Sequence, residues 1–257
     1  MVHGRSEARR LAAALGVPLA IAAVGSTSHA ANLMSLEPGA EIEKVTNIGG
    51  KQLPLPGGRW EVVFTLTERR NWGSVGSAYL VRKVENSVAA FLVVRTNIEG
   101  GPGSGWRRQR LCDRNNVHHN GSDNYYNKED ADCWIVNHAV FTNRDSKSDF
   151  YNRIKAWRRK HFVTATMVGN VFWRNGSYDY LFVSHFIDPA GHRFPRETRT
   201  SWVNSRWHAN SVGDGTPERR FVDAVKAFGE TYRVALRQGF RNRLGAGAPG
   251  LTFAFER

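Results

Sequence analysis

The segment from Thr216 to Phe240 limits the possible folds more than any other part of the chain. Phe221, Val225, Phe228, Tyr232, Leu236 and Phe240 recur at three- and four-residue steps, which places them on one side of an α-helix. Thr216, Pro217 and Glu218 supply a capping hydroxyl, a proline for the first turn and an acid near the positive end of the helix dipole. A helix this long with one apolar side needs a broad apolar surface to lie on. Lys226, Arg233, Arg237 and Arg241 fall away from that side, and their spacing predicts a basic stripe turned to solvent.

The upstream segments read as that surface. Trp60, Val62, Phe64 and Leu66 alternate with Glu61, Val63, Thr65 and Thr67, the pattern of a strand with one buried side. Strands are expected at Ser77 to Val84 and Ser87 to Thr96, joined tightly at Glu85-Asn86, and again from Cys133 to Val140. Val168 to Arg174 and Ser177 to Ile187 flank Asn175-Gly176, a dipeptide suited to a two-residue hairpin turn. Ser148 or Asp149 caps an expected helix with Phe150, Ile154 and Trp157 on one face. Arg196 to Trp207 reads as a short helix, and Leu251 to Phe255 as an edge strand. Strands early and helices late predict an α+β fold. We expect an antiparallel sheet of about six to eight strands, with the long amphipathic C-terminal helix and one or two shorter helices packed on it.

Residues 1–30 have the order of a cleavable signal peptide. Arg5, Arg9 and Arg10 precede an apolar stretch from Leu11 to Val24, and small residues Ser28 and Ala30 favour a cut before Ala31. Pro18 and the shortness of the stretch argue against a spanning anchor. The expected organisation is therefore a signal peptide at 1–30, an irregular segment at 31–50 and one α+β domain at 51–257, located in the periplasm or secreted. Without residues 1–30 the chain keeps 33 basic and 22 acidic side chains, a net charge of +11. Cys112 and Cys133 are the only cysteines, and in an oxidising compartment an even pair predicts a disulfide. A zinc alternative would draw on His118, His119 and His138, but their spacing matches no zinc pattern.

Leu53-Pro54-Leu55-Pro56-Gly57-Gly58-Arg59-Trp60, the Cys112 and Cys133 pair with Trp134, and the helix end at Gly239-Phe240 together resemble a group of exported proteobacterial proteins of unknown function. The resemblance implies an envelope or extracellular setting and carries over no catalytic residue.

Two constellations carry candidate chemistry. His185, Asp188 and His192 surround the end of an expected strand, where they would serve a hydrolase as catalytic groups, with or without a metal. On a strand, however, His185 and Asp188 point to opposite sides. The acids of the cysteine loop, Asp113, Asp123, Glu129, Asp130 and Asp132, lack the fixed pattern of a calcium loop. The second constellation is the positive charge. Residues 144–160 hold seven basic and two acidic side chains. Arg158, Arg159 and Lys160, with Arg233, Arg237 and Arg241, are the expected anion-binding residues. They would engage an anionic envelope polymer, a lipid surface or, without sequence preference, nucleic acid. No cofactor motif is present: the glycine run from Gly100 to Gly105 has no following Lys-Ser or Lys-Thr to bind phosphate. The leading expectation is thus an exported, non-enzymatic binding domain, and the alternative is a hydrolase.

Overall fold

The computed structural model describes residues 31–85, 87–101, 106, 109–124, 130–141, 146–161, 164–244 and 250–255. The expected signal peptide, most of the glycine run, Glu129, Arg144 and residues 245–249 lie outside them.

An eight-stranded antiparallel sheet forms the centre. Its strands are β1 (Glu41–Ile42), β4 (Trp60–Arg70), β5 (Gly73–Val84), β6 (Ser87–Gly100), β7 (His119–Asp123), β8 (Asp132–Val140), β9 (Thr166–Asn175) and β10 (Tyr180–Ile187). Their spatial order is β1-β4-β5-β6-β10-β9-β8-β7. A separate hairpin joins β2 (Val45–Ile48) to β3 (Lys51–Pro54). Two helices, α1 (Asp149–His161) and α2 (Pro217–Phe240), cover opposite faces of the large sheet. Leu80, Leu92, Val136, Val183 and Phe172 meet Phe221, Val225 and Tyr232 of α2, while Tyr79, Val81, Val93 and Ile135 meet Phe150 and Ile154 of α1. Central strands buried on both sides read as continuous apolar runs, as in β5 and β8.

The helix α2 begins as its sequence predicts: the Thr216 hydroxyl accepts from the Arg219 amide at 3.1 Å, with Pro217 in the first turn. It lies very close to the sheet. A Cβ at Gly229 would stand 2.5 Å from the Trp134 ring and closer still to the Asn170 side chain, so only glycine fits. Asn170 donates from Nδ2 to the Val225 carbonyl at 3.0 Å, and Tyr232 donates its hydroxyl to the Pro54 carbonyl at 3.0 Å. The Leu-Pro-Leu-Pro lead thus anchors the helix, and the Pro56 carbonyl accepts from the Trp60 indole at 2.7 Å.

Several local expectations need correction. Residues 31–50 are not irregular throughout, since β1 and β2 lie within them. In β4 the register slips between Val62 and Phe64, and Val63 is the extra residue of a β-bulge. The slip inverts the alternation: Trp60 and Val62 face α2, whereas Phe64 and Leu66 pack on the α1 side. Asn175 does not turn the β9–β10 hairpin. It pairs with Tyr180 as the last residue of β9, its carbonyl oxygen on the side chain accepts from the Trp173 indole, and residues 176–179 close the turn instead. Arg196 to Trp207 forms turns, not a helix, and Leu251 to Phe255 forms no strand but packs Phe253 and Phe255 against Phe221. Val84 pairs directly with Ser87, as the expected tight connection requires, and Asn86 itself lies outside the described residues.

Candidate functional site

Cys112, in a short 3-10 turn, is bridged to Cys133 at the start of β8, with their Cα atoms 6.1 Å apart. Beside the bridge, Asp132 is buried and charged, and the fold surrounds it with arginines. Arg233 donates from Nε to Asp132 at 2.9 Å, Arg237 bonds both Asp132 and Asp123, and Arg174 reaches Asp130 and, at 3.6 Å, Asp132. Arg241 stands 3.6 Å from Asp130. The stripe expected to face solvent therefore faces the protein's own carboxylates. Helical spacing showed that these arginines share a side, but not that Asp123 of β7, Asp132 of β8 and Asp130 just before it would be set against it. The Arg237 bonds hold the Asp123 carboxyl below its usual range, and burial lowers the Arg174 guanidinium.

On α1, Arg158 is not a free surface charge either. Its guanidinium lies 3.2 Å from the centre of the Phe141 ring, and burial pushes its pKa down to about 10. Arg159 and Lys160 are exposed on the last turn.

The structure does not gather His185, Asp188 and His192 into one group. His185 points into the α2-side core, its ring 5.8 Å from Trp60 and 5.1 Å from Phe228, and burial pushes its pKa down to about 3. Asp188 accepts from the Ala190 amide at 2.9 Å and caps a short 3-10 turn, and burial raises its carboxyl. His192 packs among Phe221, Phe253 and Phe255. Among the described residues no three His, Cys, Asp or Glu side chains stand where they could share a metal ion. No helix among them is long and apolar enough to cross a membrane.

A different cluster does form, where residues 193–216 cross the sheet at the end of β8. Two imidazoles pin this segment by its backbone. His118 bonds the Trp207 carbonyl through Nε2 at 2.8 Å, and His138 bonds the Trp202 carbonyl through Nε2 at 2.9 Å. A carbonyl only accepts, so both Nε2 atoms carry the proton and each neutral ring keeps its lone pair on Nδ1. Both Nδ1 atoms are buried without a partner among the described residues. Burial lowers both rings, that of His138 to about 4. Glu197 organises the same segment from within, accepting from the Ser205 hydroxyl at 2.7 Å and the Arg206 amide at 2.8 Å. Trp207 is thereby buried against Phe194 and Phe221. Trp202 stays half-exposed, stacked on His138 at 4.9 Å, with the Arg114 guanidinium 5.4 Å over its ring.

Positive charge accompanies this scaffold. Residues 193–220 hold six arginines and three acids. Arg206 and Arg219 stand near Glu218 and Asp214, at 3.7 and 3.6 Å. Arg193, Arg196 and Arg199 are exposed and make no ion pair among the described residues. The sequence signal for this site was present but diffuse: arginines every third residue after Gly191, with Trp202 and Trp207 close behind. Comparison of the chain with protein-family models, with curated proteins and with solved structures found no match.

Proposed function

We propose that this chain is an exported cell-envelope protein that binds an anionic partner, and that the contact is made by the segment at residues 193–199 beside Trp202. One observation carries the reading. Among the described residues Arg193, Arg196 and Arg199 make no ion pair, while Arg233 and Arg237 of α2 and Arg241 just beyond it are taken up by Asp123, Asp130 and Asp132. The segment is pinned by His118, His138 and Glu197, so little ordering is lost when it docks. Guanidinium groups suit phosphate and carboxylate, and the Arg114 guanidinium held over the Trp202 ring stands beside the same segment. The disulfide is compatible with an oxidising setting.

Retention on phosphatidylglycerol vesicles and on an immobilised anionic polysaccharide, along a salt gradient, tests the proposal. Replacing Arg193, Arg196 and Arg199 together with Gln should bring elution to distinctly lower salt, with the thermal midpoint unchanged. Elution of that variant at the wild-type salt concentration would overturn it. The hydrolase alternative gains no support from this geometry, since His185, Asp188 and His192 each serve a separate structural contact.

A further inference from the structure

A groove of about 510 Å³ opens near the β2–β3 hairpin, well inside the range of roughly 300–1,000 Å³ common for small-molecule sites. Among the described residues no charged side chain lines it. Four carboxamides do, Asn32, Asn47, Gln52 and Asn242; Asn47 is otherwise engaged, and each of the other three is fixed by one end. Asn32 accepts through Oδ1 from the Met34 amide at 3.2 Å, and Gln52 accepts through Oε1 from the Leu244 amide at 3.0 Å. Asn242 donates through Nδ2 to the Gly50 carbonyl at 2.7 Å. The opposite ends, Nδ2 of Asn32, Nε2 of Gln52 and Oδ1 of Asn242, have no partner among the described residues. The groove therefore presents two oriented donors and one oriented acceptor, with Met34 and Ile98 supplying apolar contact beside them.

That composition selects its ligand. An ion would give up water here without meeting an opposite charge, and a purely apolar molecule would leave three amide ends unsatisfied. A neutral molecule rich in hydroxyls satisfies the donors and the acceptor, and a methyl beside an amide matches the Met34 and Ile98 edge. We infer that the groove between Asn32, Gln52 and Asn242 binds an N-acetylated hexosamine unit of a glycan. The site shares no residue with the arginine segment and does not depend on it.

Calorimetric titration of the protein, made in an export-competent host, with uncharged tri-N-acetylchitotriose tests this. Cellotriose, which lacks the acetamido groups, is the comparison. Saturable binding of the acetylated sugar is expected, with cellotriose weaker by about tenfold or more. Asn32→Asp with Gln52→Glu keeps the oxygens that accept from Met34 and Leu244 but removes both donors. This double variant should lose about tenfold or more in affinity at an unchanged thermal midpoint. Gly50 has φ +72° and open space beyond its Cα, so Gly50→Asn tolerates the backbone and fills the groove, with the same loss. No saturation by wild type at about 10 mM sugar, or equal affinity for both sugars, overturns the inference whatever the variants do. The Arg193, Arg196 and Arg199 variant should bind the neutral sugar as wild type does, so failure here and failure on the anionic surfaces are separate results.

Discussion

Arg233 donates from Nε to the buried carboxylate of Asp132 across 2.9 Å, and this bond fastens α2 to the strand that begins with the disulfide. Removing one partner of a buried pair leaves the others uncompensated, which generally costs about 3 to 5 kcal/mol. Asp132→Asn is therefore expected to lower the urea midpoint strongly. Asp123→Asn, at a carboxylate half open to solvent, should cost about 1 kcal/mol or less. Equal effects of the two would mean that burial does not decide the strength of this network.

The disulfide predicts two measurable results. Native protein should take up no alkylating reagent, while reduced and unfolded protein takes up two equivalents at Cys112 and Cys133. Replacing both cysteines with serine should destabilise the fold by about 3 kcal/mol on the chain-entropy argument. Calorimetry of the oxidised and double-serine proteins checks the second.

Gly229 marks the point where α2 lies closest to the sheet. Gly229→Ala forces the added methyl onto Asn170 and Trp134, and overpacking of this kind costs about 1 to 3 kcal/mol. That loss should appear although alanine favours helix more than glycine does. Gly191→Ala meets no atom within 4 Å and should stay within about 0.5 kcal/mol of wild type. A denaturation series on both variants distinguishes contact from propensity.

Stability should fall on the acid side of neutrality. His118, His138, His185 and His192 are all held neutral in the fold, with burial the main cause. The unfolded chain takes up protons that the folded chain refuses, so the stabilisation is complete above about pH 6.5 and is lost as pH falls below it. For His138 the window closes at about 4, where the folded ring also protonates. His138→Gln should reduce the slope of stability against pH between those limits by on the order of 1 kcal/mol per pH unit. Tryptophan fluorescence during urea titrations at several pH values reads it, and an unchanged slope would remove His138 from the account.

Much of this architecture was legible from local pattern. Thr216, Pro217 and the six apolar residues of α2 announce the helix, because capping and periodicity are properties of neighbouring residues. What the sequence concealed depends on partners distant along the chain. Val63 inverts the alternation of β4 through a bulge that no residue type marks. Asn175-Gly176 carries the chemistry of a tight turn, yet pairing with Tyr180 keeps Asn175 in the strand and leaves the turn to residues 176–179. Arg233 and Arg237 look like solvent-facing cations until Asp123 and Asp132, more than 100 residues earlier, are set against them. The same holds for the candidate site. His118 and His138 are unremarkable in sequence, and only the crossing of residues 193–216 makes them clamps on Trp207 and Trp202.

The attachment of α2 has a consequence for the order in which the chain can mature. Tyr232 grips the Pro54 carbonyl across 178 positions, and Arg237 holds Asp123 across 114. These bonds secure one helix to segments synthesised long before it. Until the ribosome has delivered residue 240, Trp60, Leu80, Leu92 and Val136 lack the cover that α2 supplies on that face. Folds dominated by such distant contacts tend to close slowly. Sheet surface left without α2 in that interval is the kind of exposed apolar surface that favours aggregation or chaperone binding.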